Sequence, residues 1–128
     1  MAVTTFEDLP LADRSHHWDG DEADKRVREW AGAHDKPNDK YRRAFVWYDE
    51  NKEDHFTAYK LPIADVIDGK LMAVPHAIIA AAAVLDGARR GVDLPADDFE
   101  KAKAHIAKYY AKMGELPPWE RRERARET

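Results

Sequence analysis

The sequence predicts an α+β fold: one N-terminal helix, a β-hairpin or small antiparallel sheet, then a C-terminal antiparallel helix pair, with extended N- and C-terminal arms. Three observations carry this. Residues 23–34 repeat apolar side chains at helical spacing behind an acidic cap. Residues 44–74 gather aromatic and β-branched residues into short runs divided by polar turns. Residues 76–113 return to helical spacing, broken by Gly91 and Pro95. A length of 128 residues fits one domain. Residues 1–17 read as an N-terminal arm, 18–114 as the single globular domain and 115–128 as a C-terminal arm.

In the N-terminal arm, Phe6, Leu9 and Leu11 stand among acids without a helical or strand period, so the segment orders only where it docks. Trp18 is expected to begin the folded part. Asp19 then caps a helix, and Glu22, three residues on, suits a capping box. Val27 and Trp30 are its expected core anchors. Gly32 lies near its end, and Pro37-Asn38-Asp39 stops it. Ala44–Tyr48 and His55–Lys60 are the strand candidates, joined by the wholly polar stretch 49–54. Ile63–Ile67 and Leu71–Val74 flank Asp68-Gly69, a tight-turn dipeptide, and suggest a second hairpin or a third strand. Pro75 suits a first helical position, and the alanine-rich run behind it reads as a central helix. Arg89 and Arg90 favour its C-terminal end, with Gly91 as the residue that closes it. After Pro95, Phe99, Ala102, Ile106, Tyr110 and Met113 form an apolar stripe. Asp98, Lys101, His105, Lys108 and Lys112 form a polar one. The helix pair is expected to meet through Ile78, Leu85, Phe99 and Ile106.

Hydrophobic residues make up 44% of the chain and charged residues 36%, a globular balance. No apolar run approaches the ~18 residues of a membrane span, and the first residues lack the basic start of a secretory signal. Cysteine is absent, which removes disulfides and thiolate zinc sites. The net charge of −4 arises wholly in residues 1–40, with ten acidic against six basic side chains; residues 41–128 hold fifteen of each. A general basic field for nucleic acid is therefore missing.

Catalytic patterns are also missing. Ser15 is the only serine, and no Gly-rich phosphate loop occurs. His16-His17 with Asp19 and Asp21 is the most suggestive metal cluster, but adjacent extended side chains point apart, so no metal and no other cofactor is expected. Asp65 and Asp68 form a carboxylate pair best explained by turn chemistry. Trp47, Tyr48, Phe56 and Tyr59 have the composition of a base-stacking platform, yet packing beneath the helices explains them better. The apolar residues of the arms, Phe6, Leu9, Leu11, Leu116, Pro117, Pro118 and Trp119, either fold back on the domain or lie on a partner. Pro-Pro-Trp is stiff, and Trp is a favoured interface anchor.

Several runs together carry a resemblance: KRVREWA at 25–31, YRRAFVWY at 41–48, AYKLPIAD at 58–65, DGKLMAVP at 68–75, the alanine-rich helix through GARRG at 87–91, and HIAKYYAKM at 105–113. Over residues 18–119 the chain resembles a small module of tailed-phage head-gene clusters, found alone or joined to prohead-protease-type sequences. The resemblance implies a capsid-associated role. The Ser and His of a prohead protease have no counterpart here, so protease activity is not implied. The expectation is a non-enzymatic phage structural protein, minor capsid or decoration-type, that binds the major capsid protein or other head proteins through the arm residues. Self-association, a place in the virion, and passage through the host cytoplasm during assembly belong to the same expectation. The alternative is a regulatory or adaptor module acting on nucleic acid or the packaging machinery, through Arg42, Arg43, Arg89, Arg90 and the C-terminal arginines.

Overall fold

Local capping sets the first helix, α1 (Gly20–Ala31), of the computed structural model, which describes residues 2–4, 6–87 and 94–127. The Asp19 carboxylate accepts the free N–H groups of Asp21 and Glu22 at 3.1 and 3.2 Å. Glu22 turns to Lys25 instead of closing a capping box. At the far end Gly32 adopts φ 68°, which lets the Ala33 N–H reach back to the Arg28 carbonyl at 2.9 Å. The helix therefore ends at Ala31, seven residues before Asn38. Asn38 instead caps a four-residue turn, α2 (Asp39–Arg42), and also donates to the Ala31 carbonyl at 2.8 Å. Val27 is fully buried, whereas Trp30 is only half-buried at the rim.

Two small antiparallel sheets follow. The first has the order β1-β2-β3, from β1 (Ala2–Val3), β2 (Phe45–Tyr48) and β3 (Tyr59–Pro62). The second pairs β4 (Ala64–Ile67) with β5 (Lys70–Ala73). The β4–β5 turn uses Asp68 at φ 52° and Gly69 at φ 78°, the positive pair that the Asp-Gly dipeptide is suited to. The expected strand at 55–60 starts later, because Phe56–Ala58 form a single 3-10 turn. Ile63 bonds to both sides, donating to the Ala44 carbonyl and accepting from the Val74 N–H, each at 2.9 Å, and so carries the chain from one sheet to the other.

The aromatics of β2 and β3 are packing residues. Trp47 and Tyr59 are buried, and Tyr41 touches Phe45, Phe56 and Tyr59 with ring centroids 4.8–5.3 Å apart. The helices α3 (Pro75–Asp86) and α4 (Ala96–Lys112) pack together, with Ile78, Leu85 and Ile106 buried in one cluster and Phe99 against it. Two members of the expected polar stripe of α4, Asp98 and His105, are buried. Asp98 accepts the Trp47 indole N–H at 3.0 Å, and His105 is described below. α3 ends at Asp86 with Gly87 as its cap; the expected roles of Arg89, Arg90 and Gly91 lie outside the described residues. No helix among the described residues is long and apolar enough to cross a membrane.

Both terminal segments differ from free extended arms. Ala2–Val3 add a strand to the β2 edge, and residues 10–12 run along β5, where the Ala73 N–H donates to the Pro10 carbonyl and the Ala12 N–H to the Ala73 carbonyl. Backbone pairing of this kind leaves no side-chain period. Pro118–Glu127 form a helix, α5, secured by a bidentate Arg122–Asp86 pair at 2.5 and 2.6 Å. Pro117 is fully buried and Trp119 packs on the core. Trp119→Ala should therefore cost about 2 kcal/mol in urea unfolding, less than the roughly 2–5 kcal/mol of Ile106→Ala, because Trp119 is only half-buried. An unchanged midpoint for Trp119→Ala would remove the C-terminal segment from the core.

Candidate functional site

The arm residues expected to meet a partner meet their own domain instead. Phe6 lies between His105 and Tyr109, at centroid distances of 5.5 and 5.0 Å. Leu9 is buried, and Leu11 bridges to Ala73. Leu116, Pro118 and Trp119 are half-buried beside the buried Pro117. The physical reason is that α4 offers a ready row of donors to the passing N-terminal backbone. The Tyr109 hydroxyl donates to the Glu7 carbonyl, and Lys112 donates to the Leu9 carbonyl at 2.6 Å. His105 Nδ1 lies 3.0 Å from the Thr4 carbonyl, so it carries the proton and donates it. These segments thus fold back on their own domain, one of the two outcomes the sequence leaves open for them.

A polar cluster that sequence reasoning missed centres on Asp65. Its side chain is 1% exposed, so turn chemistry does not describe it. Arg26 of α1 donates to both oxygens, from Nε at 2.8 Å and Nη2 at 2.9 Å. His16 Nε2 lies 3.1 Å from Oδ2, and the Val66 N–H donates to Oδ1 at 2.7 Å. Burial pushes this carboxyl up, but the bonds from Arg26, His16 and Val66 together hold it below the ordinary value of 3.8. His16 is therefore turned inward while His17 is exposed. Among the described residues no group of three or more His, Asp or Glu side chains is placed to hold a metal ion. Ser15 donates to Asp13 and does not reach His16 as a nucleophile would.

The second feature is a cleft of about 300 Å³ between α1, the 3-10 turn at Phe56 and the β3–β4 segment. Val27, Phe45, Phe56, Tyr59 and Pro62 give it apolar walls, and Trp18 closes one end. Tyr41 and Arg28 both turn to Asp24, though the buried Arg28 Nε forms an ion pair there and no hydrogen bond. Tyr41 donates to Asp24 Oδ1 at 2.5 Å, and Arg28 Nε lies 2.9 Å from Asp24 Oδ2. The Arg28 guanidinium also covers the Phe56 ring at 3.7 Å. Burial, and then the Asp24 carboxylate that accepts its proton, push Tyr41 far above the ordinary tyrosine value. The phenol therefore stays neutral near pH 7. Exposed Asp21 adds a carboxylate to its lining. Such a cleft can bury an apolar side chain, and that carboxylate favours a basic neighbour. No protein-family model, curated protein or solved structure matches the chain.

Two predictions follow from these groups. Asp65→Asn leaves Arg26 without its anion and should cost about 3 kcal/mol at pH 7. Because the folded carboxyl titrates below its unfolded value, the wild-type advantage is full above pH ~4 and fades on further acidification. Urea titrations of both proteins across that range check this, and a constant difference would refute it. His105 behaves in the other acidic window. Burial lowers it to about 4 from 6.5, against the pull of the Thr4 carbonyl bond. Its stabilising neutral form is complete above pH 6.5, and the stability is lost as pH falls from there towards 4. His105→Gln does not titrate and should show a flatter stability profile across that interval.

Proposed function

We propose that the chain is a phage structural protein of minor capsid or decoration type, which binds the head shell through the cleft between α1 and β3. The observation that carries this reading is the cleft itself: apolar walls around a carboxylate that a phenol and a guanidinium both face. It offers burial for an anchoring side chain and no poised acid, base or nucleophile. The resemblance over residues 18–119 to a phage head-cluster module supplies the setting, a virion whose shell is the partner. The chemistry of the lining specifies the occupant: an extended segment of a shell protein with one apolar anchor flanked by Lys or Arg. Many copies on a lattice make a modest single interface sufficient.

The alternative, an adaptor acting on nucleic acid, draws less support from the arginines it would use. Arg43 is paired with Glu7 at 2.8 Å, Arg42 with Glu53 at 3.3 Å, and Arg122 with Asp86. Groups so engaged are poorly placed to displace counterions from a phosphate backbone.

Co-sedimentation with assembled shells tests the proposal. Thr57 and Asp21 are exposed and line the cleft. Thr57→Trp fills it and Asp21→Lys reverses a charge in its lining. Each should weaken shell binding at least ~10-fold while leaving thermal unfolding nearly unchanged, since a buried anchor contributes about 2 kcal/mol. Equal binding by both variants, or absence of the protein from purified virions, would defeat the reading.

A further inference from the structure

The N-terminal segment is held to the body along two stretches of unequal strength. From Leu9 to Ala12 the hold is apolar burial and backbone bonding. Leu9 is buried, and Ala73 donates to the Pro10 carbonyl and accepts from the Ala12 N–H, at 2.9 and 2.8 Å. Lys112 adds a bond to the Leu9 carbonyl. The stretch before Asp8 is held more thinly. Ala2 and Val3 pair with the β2 edge, and two carbonyls accept from α4: that of Thr4 from His105 Nδ1 at 3.0 Å, and that of Glu7 from the Tyr109 hydroxyl. The Glu7–Arg43 pair is partly exposed on both sides, so water weakens it. The Thr4 hydroxyl is buried with no hydrogen-bond partner among the described residues, which works against closure.

The weaker stretch is also what encloses His105. This ring is 6% exposed, 5.5 Å from the Phe6 ring and 5.9 Å from Tyr109 of its own helix. The charged residues of α4 within one turn of it, Lys101, Lys103 and Lys108, are all positive. The Tyr109 phenol is pushed up to about 12 by burial and stays neutral. Glu7 of the segment is held by Arg43, β1 and β2 carry no charged side chain, and Asp86, the one carboxylate of α3, is held by Arg122.

We infer that Ala2–Thr4, with Phe6 and Glu7, form a latch that acid opens: protonation of His105 releases it from α4 and from the β2 edge, and it swings about Asp8 while Leu9–Ala12 stay seated. The direction follows from what each state offers the ring. Closed, burial lowers the ring to about 4 from 6.5, against the pull of the Thr4 bond and with the help of Lys108. Open, the ring faces water and returns to its ordinary value. The closed state is thus favoured in full above pH 6.5 and loses ground as pH falls towards 4. Between pH 7 and pH 5 these two values raise the open population about 20-fold. Opening leaves β2 as an unpaired edge, the kind of surface that accepts an added strand.

Backbone hydrogen exchange of the full chain, read by NMR at pH 7 and pH 5 and corrected for intrinsic rates, tests this with two amides. The Thr4 N–H bonds to the Val46 carbonyl and the Ala12 N–H to the Ala73 carbonyl, each at 2.8 Å, so they report on the latch and on the seated stretch. Protection of Thr4 should fall about 20-fold between the two pH values, and that of Ala12 less than about 3-fold. In His105→Asn the side-chain amide can donate in place of Nδ1 and takes up no proton, so Thr4 should be protected equally at both. The two wild-type amides decide the matter even where that variant is unstable. Undiminished protection of Thr4 at pH 5 would overturn the inference. So would Thr4 and Ala12 losing protection together, or His105→Asn losing as much as wild type, which would assign the opening to the Glu7–Arg43 pair.

Discussion

A carboxylate that is 1% exposed cannot stay ionised unless donors surround it, and Asp65 recruits them from three separate pieces of chain. Arg26 comes from α1, His16 from the segment before it, and the Val66 N–H from β4 itself. Satisfying one buried anion therefore sets the rotation of α1, its position over β4 and the course of the incoming chain together. Arg26 is itself 47% exposed, so water moderates the gain in stability. The stronger consequence is geometric: other placements of α1 over β4 leave the charge unpaired, and that penalty separates the native arrangement from its competitors. The cleft depends on the same placement, since α1 forms one of its walls through Val27, Asp24 and Arg28.

The elements legible in the sequence were those with a local cause. The Asp19 cap, the Asp68-Gly69 turn, Pro75 at the start of α3 and the apolar stripe of α4 each follow from neighbours within a few residues. What escaped was set by contacts between distant residues. Leu11 lies beside β5 because of backbone bonds to Ala73, which no periodicity reports. His105 and Asp98 read as a polar face by their type, yet Thr4 and Trp47 supply partners that let them be buried. Asp65 sits three residues before the Asp68-Gly69 turn, and nothing nearby announces Arg26, 39 positions away. The cleft was invisible for the same reason, because its walls are brought together only by the tertiary fold. His16 stands out in the sequence beside His17, Asp19 and Asp21, but nothing in that stretch points to Asp65 as the partner of its ring nitrogen.

The alanine-rich helix shows how a composition can be read correctly and placed incompletely. Its core face is apolar, as a central helix requires, with Ile78 and Leu85 buried. A central helix would be covered on every side, however, and α3 has α4, α5 and β3 as neighbours with one side open. Alanine is tolerated on either kind of face, because its methyl is too small to cost much in water and small enough to allow close packing. The sequence therefore contained no signal separating a buried alanine face from an exposed one. Only the single large residue, Ile79, marks the difference, and its exposure became visible once the neighbours of α3 were placed.

Charge and apolar surface are divided unequally in this fold, and the division bears on what it can bind. Many of its cations act within the molecule: Arg26 on Asp65, Arg43 on Glu7, Arg122 on Asp86, and Lys112 on both Asp8 and the Leu9 carbonyl. Several of these pairs hold the terminal segments down, which withdraws Phe6, Leu9, Pro117 and Trp119 from solvent. The apolar surface left for other molecules then includes the walls of the cleft and the outer stripe of α3. A surface of that kind gains free energy by excluding water from a matching apolar surface, and its charges serve to select and orient the partner. Trp18 and Pro62 also line a smaller hollow of about 190 Å³ against Ala80 and Val84 of α3, so they form a ridge with the cleft on one side and that recess on the other. Occupants of the two hollows would lie next to each other across that ridge, and filling one would bury part of the surface that frames the second.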